Sequence, residues 1–284
     1  MSHIFIKKFV ILLDEFDWTD YLSTQGAEAA PASCFCQNAE PPANEFRVGH
    51  KLETYDPRNT STTCIGTVIK ATGSRIRLRL DGTDDRNDFW LNVDSDLIHP
   101  FEYSTKHGRS IQPPLGFGND LSKWPKFLEK IIHTAEENVF APESCFKTPP
   151  TRPPKNEFRV GQKLEAVDPK NPHLICPATI KEIKLDKLLI TFDGWSQSSQ
   201  FWCAYNSRDL FPCGWCQKTG HKLQQPGNLE TKAVNKSSHA ALAGGGNNQS
   251  SPTTTTTTTA KGKKTATRQS TTTTAIEASP NRSD

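Results

Sequence analysis

Two stretches decide how this chain folds: "FRVGHKLETYDP" at Phe46–Pro57 and "FRVGQKLEAVDP" at Phe158–Pro169. Nine of their twelve positions are identical, at an offset of 112 residues. The same offset, without a gap, pairs Asn59 with Asn171, Cys64 with Cys176, Asp81-Gly82 with Asp193-Gly194, Phe89-Trp90 with Phe201-Trp202 and Pro100 with Pro212. Upstream the match is looser. "WTDYL" (Trp18–Leu22) parallels "WPKFL" (Trp124–Leu128), and "APASCF" (Ala30–Phe35) parallels "APESCF" (Ala141–Phe146). Chance does not produce such a run, so the chain is two copies of one unit of about 100 residues.

Each copy reads in two parts. The first is an arm: a short helix around the Trp, then a Pro-rich extended stretch ("EPPAN", "TPPTRPPKN") whose prolines suit a connection and not a central strand. The second is a compact β core. Ile76, Leu78 and Leu80 alternate with Arg75, Arg77 and Arg79, the period-two pattern of a half-buried strand, and Leu188, Ile190 and Phe192 keep the same phase. Asp-Gly turns follow at once in both copies. Several short strands with turns between them predict a small barrel.

Composition sets the outer limits. At 284 residues the chain holds about two domains of ordinary size, and its 34% hydrophobic content is low enough to imply a disordered part. Residues 228–284 fit that part: the run "PTTTTTTTAKGKKTATRQSTTTT" has too little apolar surface to order itself. This tail carries seven Lys/Arg against three acids, or +4, so the other 227 residues are −1 and the overall +3 does not describe a basic folded surface. Its "KGKKTATR" segment suits weak contact with nucleic-acid phosphates or a nuclear-import signal, with a solvated linker as the plain alternative. The apolar run Phe9–Leu13, closed by Asp14 and Glu15, is too short for a signal peptide, and no span approaches a membrane helix. Eight irregularly placed cysteines complete the expectation of a reducing, intracellular, soluble protein without membrane contact.

Taken together, "FRVGxKLEAxDPxN", the Cys seven residues after the Pro, "FDGW", "FW" and "GWCQKTGHKLQQP" resemble malignant-brain-tumour (MBT) repeats of the Polycomb-group type. The resemblance runs over roughly residues 16–227. It implies a mainly β fold of two tandem MBT repeats, each a small tudor/SH3-like barrel whose N-terminal helical and extended arm packs on the neighbouring repeat. The expected boundaries are an N-terminal extension over 1–15, repeat 1 over 16–116, repeat 2 over 117–227 and the disordered tail over 228–284. The resemblance further implies a nuclear, chromatin-associated, non-enzymatic protein that binds mono- or dimethyl-lysine on histone tails. Its other implied partners are proteins of Polycomb-type repressor complexes, and it calls for no cofactor. Relatives of this type also carry zinc-finger motifs and a sterile-alpha-motif domain, neither of which is visible here.

The family motif carries over onto Asp168, Phe192 and Trp195, with Asn171 and Cys176 lining the pocket. A methylated ammonium is a cation with an apolar coat, so aromatic faces attract its charge and cover its methyl groups. A carboxylate adds a charge-assisted hydrogen bond to any remaining N–H, which favours the lower methylation states. Repeat 1 keeps Asp56, Asn59 and Cys64 but has Leu80 and Thr83 where the rings belong, and it is expected to be structural. One wall departs from the pattern: seven residues after Phe192, where the family usually has Phe or Tyr, stands Ser199. A scaffold with a decayed cage is therefore a second reading. Plain alternatives stand beside each assignment: Phe192 as core, Asp168 as a turn cap, Cys176 as packing like its twin Cys64. Phe89, Trp90, Phe201 and Trp202, present in both copies, read as framework. "CGWC" (Cys213–Cys216) lacks a second ligand pair and a βαβ setting, so neither metal nor redox chemistry is expected.

Overall fold

The computed structural model describes residues 16–118, 120–133, 139–196 and 199–227; the N-terminal extension read over 1–15 and the tail read over 228–284 lie outside them. The repeat appears as two five-stranded antiparallel sheets. In the first, β1 (Lys51–Asp56), β2 (Asn59–Thr72), β3 (Arg75–Leu80), β4 (Phe89–Asn92) and β5 (Ile98–His99) lie in the order β4-β3-β2-β1-β5. In the second, β6 (Lys163–Asp168), β7 (Asn171–Lys184), β8 (Lys187–Phe192), β9 (Phe201–Ala204) and β10 (Leu210–Phe211) repeat that order as β10-β6-β7-β8-β9. The long strands β2 and β7 each pair with neighbours on both sides. Register shifts between Val68 and Lys70 and between Ile180 and Glu182, again 112 apart, bend them and curl each sheet into a half-barrel.

The apolar phase read from the sequence is the core phase. Ile76, Leu78 and Leu80 are at most 1% exposed, as are Leu188 and Ile190. The opposite face departs from the pattern. Arg77 and Arg79 reach the rim and pair with Asp88 at 2.9 and 2.8 Å. Arg75, by contrast, is 2% exposed, with its guanidinium 5.2 Å over Trp90 and its Nη1 donating to the Pro172 carbonyl of the other repeat at 2.9 Å. Alternation predicts which side of a strand leaves its own core, but a second repeat covering that side is invisible to it.

The arms are exchanged. Helix α1 (Trp18–Gln25) is capped by Asp17, whose carboxylate accepts from Asp20 N at 3.0 Å, and ends at Gly26 with φ +58. The chain beyond it docks on the second sheet: Lys163 N donates to Glu28 O, and Ala30 N to Lys163 O, both at 2.8 Å. Ala30, Cys34 and Phe35 then enter the core of Leu164, Ile180 and Leu188, with Phe35 edge-on to Phe158 at 5.0 Å. The arm of the second repeat, beginning with α2 (Trp124–His133), returns the contact. Lys51 N donates to Val139 O at 2.7 Å, Ala141 N donates to Lys51 O at 2.9 Å, and Phe146 meets Phe46 edge-on at 5.2 Å. Each core is thus completed by the other repeat's arm, as the resemblance implies. Removing one such aromatic, Phe35 for instance, costs about 3–5 kcal/mol by cavity formation.

Candidate functional site

Two turns of the second sheet carry the candidate residues. Ala178 pairs with Phe192, and Asp193 N donating to Pro177 O at 2.9 Å carries the pairing one step further. Gly194, at φ +78, then turns the chain, Trp195 N returns toward Phe192 O at 3.4 Å, and the indole of Trp195 is left 50% exposed. Asp168 faces Asn171 across the β6–β7 hairpin. The Asp168 carboxylate accepts from Lys170 N and from Asn171 Nδ2, each at 2.9 Å, and remains partly exposed. It therefore caps its turn and still presents an acidic rim.

Two expected lining residues sit deeper. Phe192 is 5% exposed, packed in the core with its ring centroid 5.5 Å from that of Phe201. Cys176, 2% exposed, shares that core. Its thiol is pushed up to about 12, first by burial and then by the charge of Asp168. Ser199 is turned onto its own loop, its amide and its Oγ both donating to Ser196 O at 3.0 and 2.6 Å. The structure thus packs Cys176 and Phe192 in one core, bonds Asn171 to Asp168, and leaves the Trp195 ring half-exposed.

The first sheet has the same turn and hairpin with different chemistry. Leu80 is 1% exposed, and Thr83 donates its hydroxyl back to Leu80 O at 2.8 Å. Asp56 is fully buried and held by the Arg58 guanidinium through two bonds of 3.1 Å, with Leu115 N at 2.9 Å on the second oxygen. Burial alone would raise the Asp56 carboxyl, but the bonds from Arg58 and Leu115 and the Arg58 charge outweigh it and hold it below the usual range.

The mbt repeat profile matches this chain twice, over residues 50–118 and 162–230. The chain belongs to the MBT-repeat family. It is 51% identical to human Polycomb protein SCMH1 over 222 residues, which is 78% of this chain and 33% of that protein. It is 39% identical to human Lethal(3)malignant brain tumor-like protein 4 over 214 residues, 74% of this chain and 34% of that one. The chain thus spans about a third of the length of these relatives. Among solved structures, the four MBT repeats of Drosophila melanogaster Sfmbt, in complex with the peptide RHR(me)KVLR, share 30% identity at a TM-score of 0.30, covering 64% of this chain and 42% of that one.

Two motif residues of the second MBT repeat have partners that the motif does not name. Asp193 is 8% exposed and takes hydrogen bonds from Lys163 Nζ at 2.7 Å, Thr179 Oγ1 at 2.6 Å and Tyr21 OH at 2.9 Å. The turn that carries Trp195 is therefore tied to the arm of repeat 1. Glu165, fully buried, receives the Trp18 indole at 2.7 Å, Gly214 N at 2.8 Å and Cys216 N at 2.8 Å. The "CGWC" segment thus caps a buried carboxylate with its backbone. Among the described residues no three His, Cys, Asp or Glu side chains stand together as metal ligands, and no helix is long and apolar enough to cross a membrane. The Asp-x-Arg spacing of Asp56 and Arg58, against Asp-x-Lys in repeat 2, was the one available hint that the two acids differ.

Proposed function

We propose that this chain is a non-enzymatic chromatin reader whose second MBT repeat binds mono- or dimethyl-lysine of histone tails, acting in the nucleus with Polycomb-type repressor complexes. The observation that carries the reading is the asymmetry between the two repeats. Repeat 2 has a half-exposed Trp195 and a buried Phe192, and its acid, Asp168, stays partly exposed. In repeat 1 the ring positions are aliphatic or hydroxylic and the acid is buried under Arg58. A methylammonium against the indole gains about 0.5–2 kcal/mol from the ring. The Asp168 carboxylate supplies a charged acceptor that trimethyl-lysine, lacking an N–H, cannot use. Kinship with Polycomb proteins supports the chromatin setting.

Titration with mono-, di- and trimethylated histone-tail peptides tests this. Mono- and dimethyl peptides are expected to bind more tightly than trimethyl ones, and Trp195→Ala to abolish most of the difference. Equal binding by Trp195→Ala refutes the pocket. The second reading, an interaction scaffold without lysine recognition, is favoured by one observation: the hydroxyl of Ser199 bonds back to Ser196 O where the family has an aromatic wall. Absence of binding to every methylated peptide decides for the scaffold.

A further inference from the structure

The outer faces of the two sheets differ in a way that the candidate lysine site does not use. Paired residues share a face, so Glu182, Lys184, Lys187, Leu189, Trp202 and Ala204 line one side of β7, β8 and β9, opposite the buried Leu188 and Ile190. In repeat 1 the same face is covered by repeat 2. The twins of Lys187 and Ala204 are Arg75 and Asn92, which are 2% and 6% exposed. Arg75 Nη1 donates to Pro172 O at 2.9 Å, and Asn92 Nδ2 to Arg208 O at 3.0 Å. In repeat 2 Lys187 and Ala204 are exposed, and Trp202 is 41% exposed.

The hairpin tips sharpen the contrast. Gly73 turns the β2–β3 hairpin at φ +54, and a Cβ there would stand 3.0 Å from Thr219 Oγ1 and 3.2 Å from His221 Cβ of repeat 2. Its twin in the β7–β8 hairpin is Leu185, left-handed as well at φ +51, and 94% exposed. A leucine is strained in that conformation where a glycine is not, and one so fully solvated gains no contact in return. Strain without a stabilising contact points to a role outside the fold. Lys184, the residue before Leu185, holds its ammonium 4.9 Å over the Trp202 indole, so one side chain links the tip to the exposed ring. The charges on and beside this face are mixed. Lys184 pairs with Glu182 at 2.9 Å, while Asp186 and Lys187, of opposite sign, form no ion pair among the described residues.

We propose that the outer face of repeat 2, with Leu185 and Trp202 as its apolar anchors, is a homodimer surface that meets the same face of a second copy. Three observations choose this occupant. The twin face already packs against an MBT repeat, so a second copy brings the kind of surface that covers it within one chain. Head-to-tail stacking that repeats the internal contact is sterically closed. It would set Leu185 against His107 and Arg109, the twins of Thr219 and His221, where the internal contact has room only for glycine. Finally, the unpaired charges are self-complementary: in a two-fold contact Lys187 of each copy meets Asp186 of the other. An acidic or a basic partner leaves one of these two charges opposed.

Sedimentation velocity of the full chain over a rising concentration series tests this. A monomer–dimer equilibrium is expected, and a parent that stays monomeric throughout overturns the proposal. Leu185→Gly separates association from folding. It relieves the left-handed strain, so the melting temperature of the dilute protein is expected to hold or rise, while dimerisation weakens about tenfold or more, as for the loss of a central interface residue. A Leu185→Gly variant that dimerises as well as the parent overturns the proposal. Charge exchange identifies the two-fold contact. Asp186→Lys and Lys187→Asp each bring like charges together and weaken the dimer, whereas D186K/K187D together restore it. A double exchange that recovers nothing of what the single changes lose overturns the two-fold pairing.

Discussion

Replacing Asp193 with alanine is expected to be the most damaging single change near the candidate site, and the structure sets its size. The Lys163 and Asp193 side chains are 10% and 7% exposed and meet at 2.7 Å. Without the carboxylate, the Lys163 ammonium keeps Thr179 Oγ1 at 2.8 Å and the Tyr21 ring at 5.4 Å, but it has lost its counter-charge. Thr179 and Tyr21 each lose an acceptor as well. Breaking a buried pair from one side costs about 3–5 kcal/mol. For a folded unit of this size each kcal/mol lowers Tm by about 2–4 °C, so a drop on the order of 10 °C is expected in thermal and urea melts. Two companions separate the terms. Tyr21→Phe removes only the tie between arm and turn and is expected to cost about 1 kcal/mol. The double change Lys163→Met with Asp193→Leu removes both charges and is expected to recover most of the loss. If Asp193→Ala melts within about 1 kcal/mol of the parent, the buried pair and the exchanged arm that closes over it are wrong.

Three further outcomes are expected. Restoring the missing wall with Ser199→Tyr raises dimethyl-lysine affinity about five- to tenfold by calorimetry; unchanged affinity means that residue 199 does not face the ligand. Because Asp56 titrates below the ordinary carboxylate range when folded, its contribution is present above the unfolded pKa of about 4 and is lost as pH falls through the lower folded value. The stability advantage of the parent over Asp56→Asn in urea melts therefore shrinks below about pH 4, and a constant difference contradicts the bonds around Asp56. Trp18→Phe removes the indole from Glu165 and costs about 1–3 kcal/mol in the same melts, because the buried oxygen keeps only Gly214 N; a neutral result means the indole bond is not formed.

Much of the fold is legible because duplication repeats its own evidence. A motif found once leaves strand and turn positions loosely placed, whereas the 112-residue offset fixes them against each other and places even the two bulged strands in register. What escapes the sequence depends on contacts between the copies. The three arginines of β3 look alike in the pattern, yet one is sealed between repeats and two meet Asp88 at the rim. The arm exchange follows from the family resemblance and not from periodicity, since a Pro-rich arm has no pattern that names its partner. Arg58 and Lys170 count equally as positive charges, so the grip on Asp56 is hidden until the fork is seen holding both the acid and Leu115.

The consequence of the exchange for the candidate site is that it does not belong to repeat 2 alone. The turn that presents Trp195 is held from below by Asp193, and Asp193 accepts from Tyr21, a residue 172 positions earlier in the arm of the other repeat. The strand that carries Asp168 begins at Lys163, whose backbone pairs with Glu28 and Ala30 of that same arm. The first repeat, with aliphatic Leu80 in place of a ring and its acid held by Arg58, therefore still supplies a wall of the structure on which the candidate site rests. Its sheet in turn needs Val139, Ala141 and Phe146 from the second repeat's arm. Divergence of the two repeats was possible without loss of fold because residues 58 and 83 are partly or fully exposed and residue 80 exchanges one apolar core side chain for another, while the mutual closure of the cores rests on positions that both copies retain.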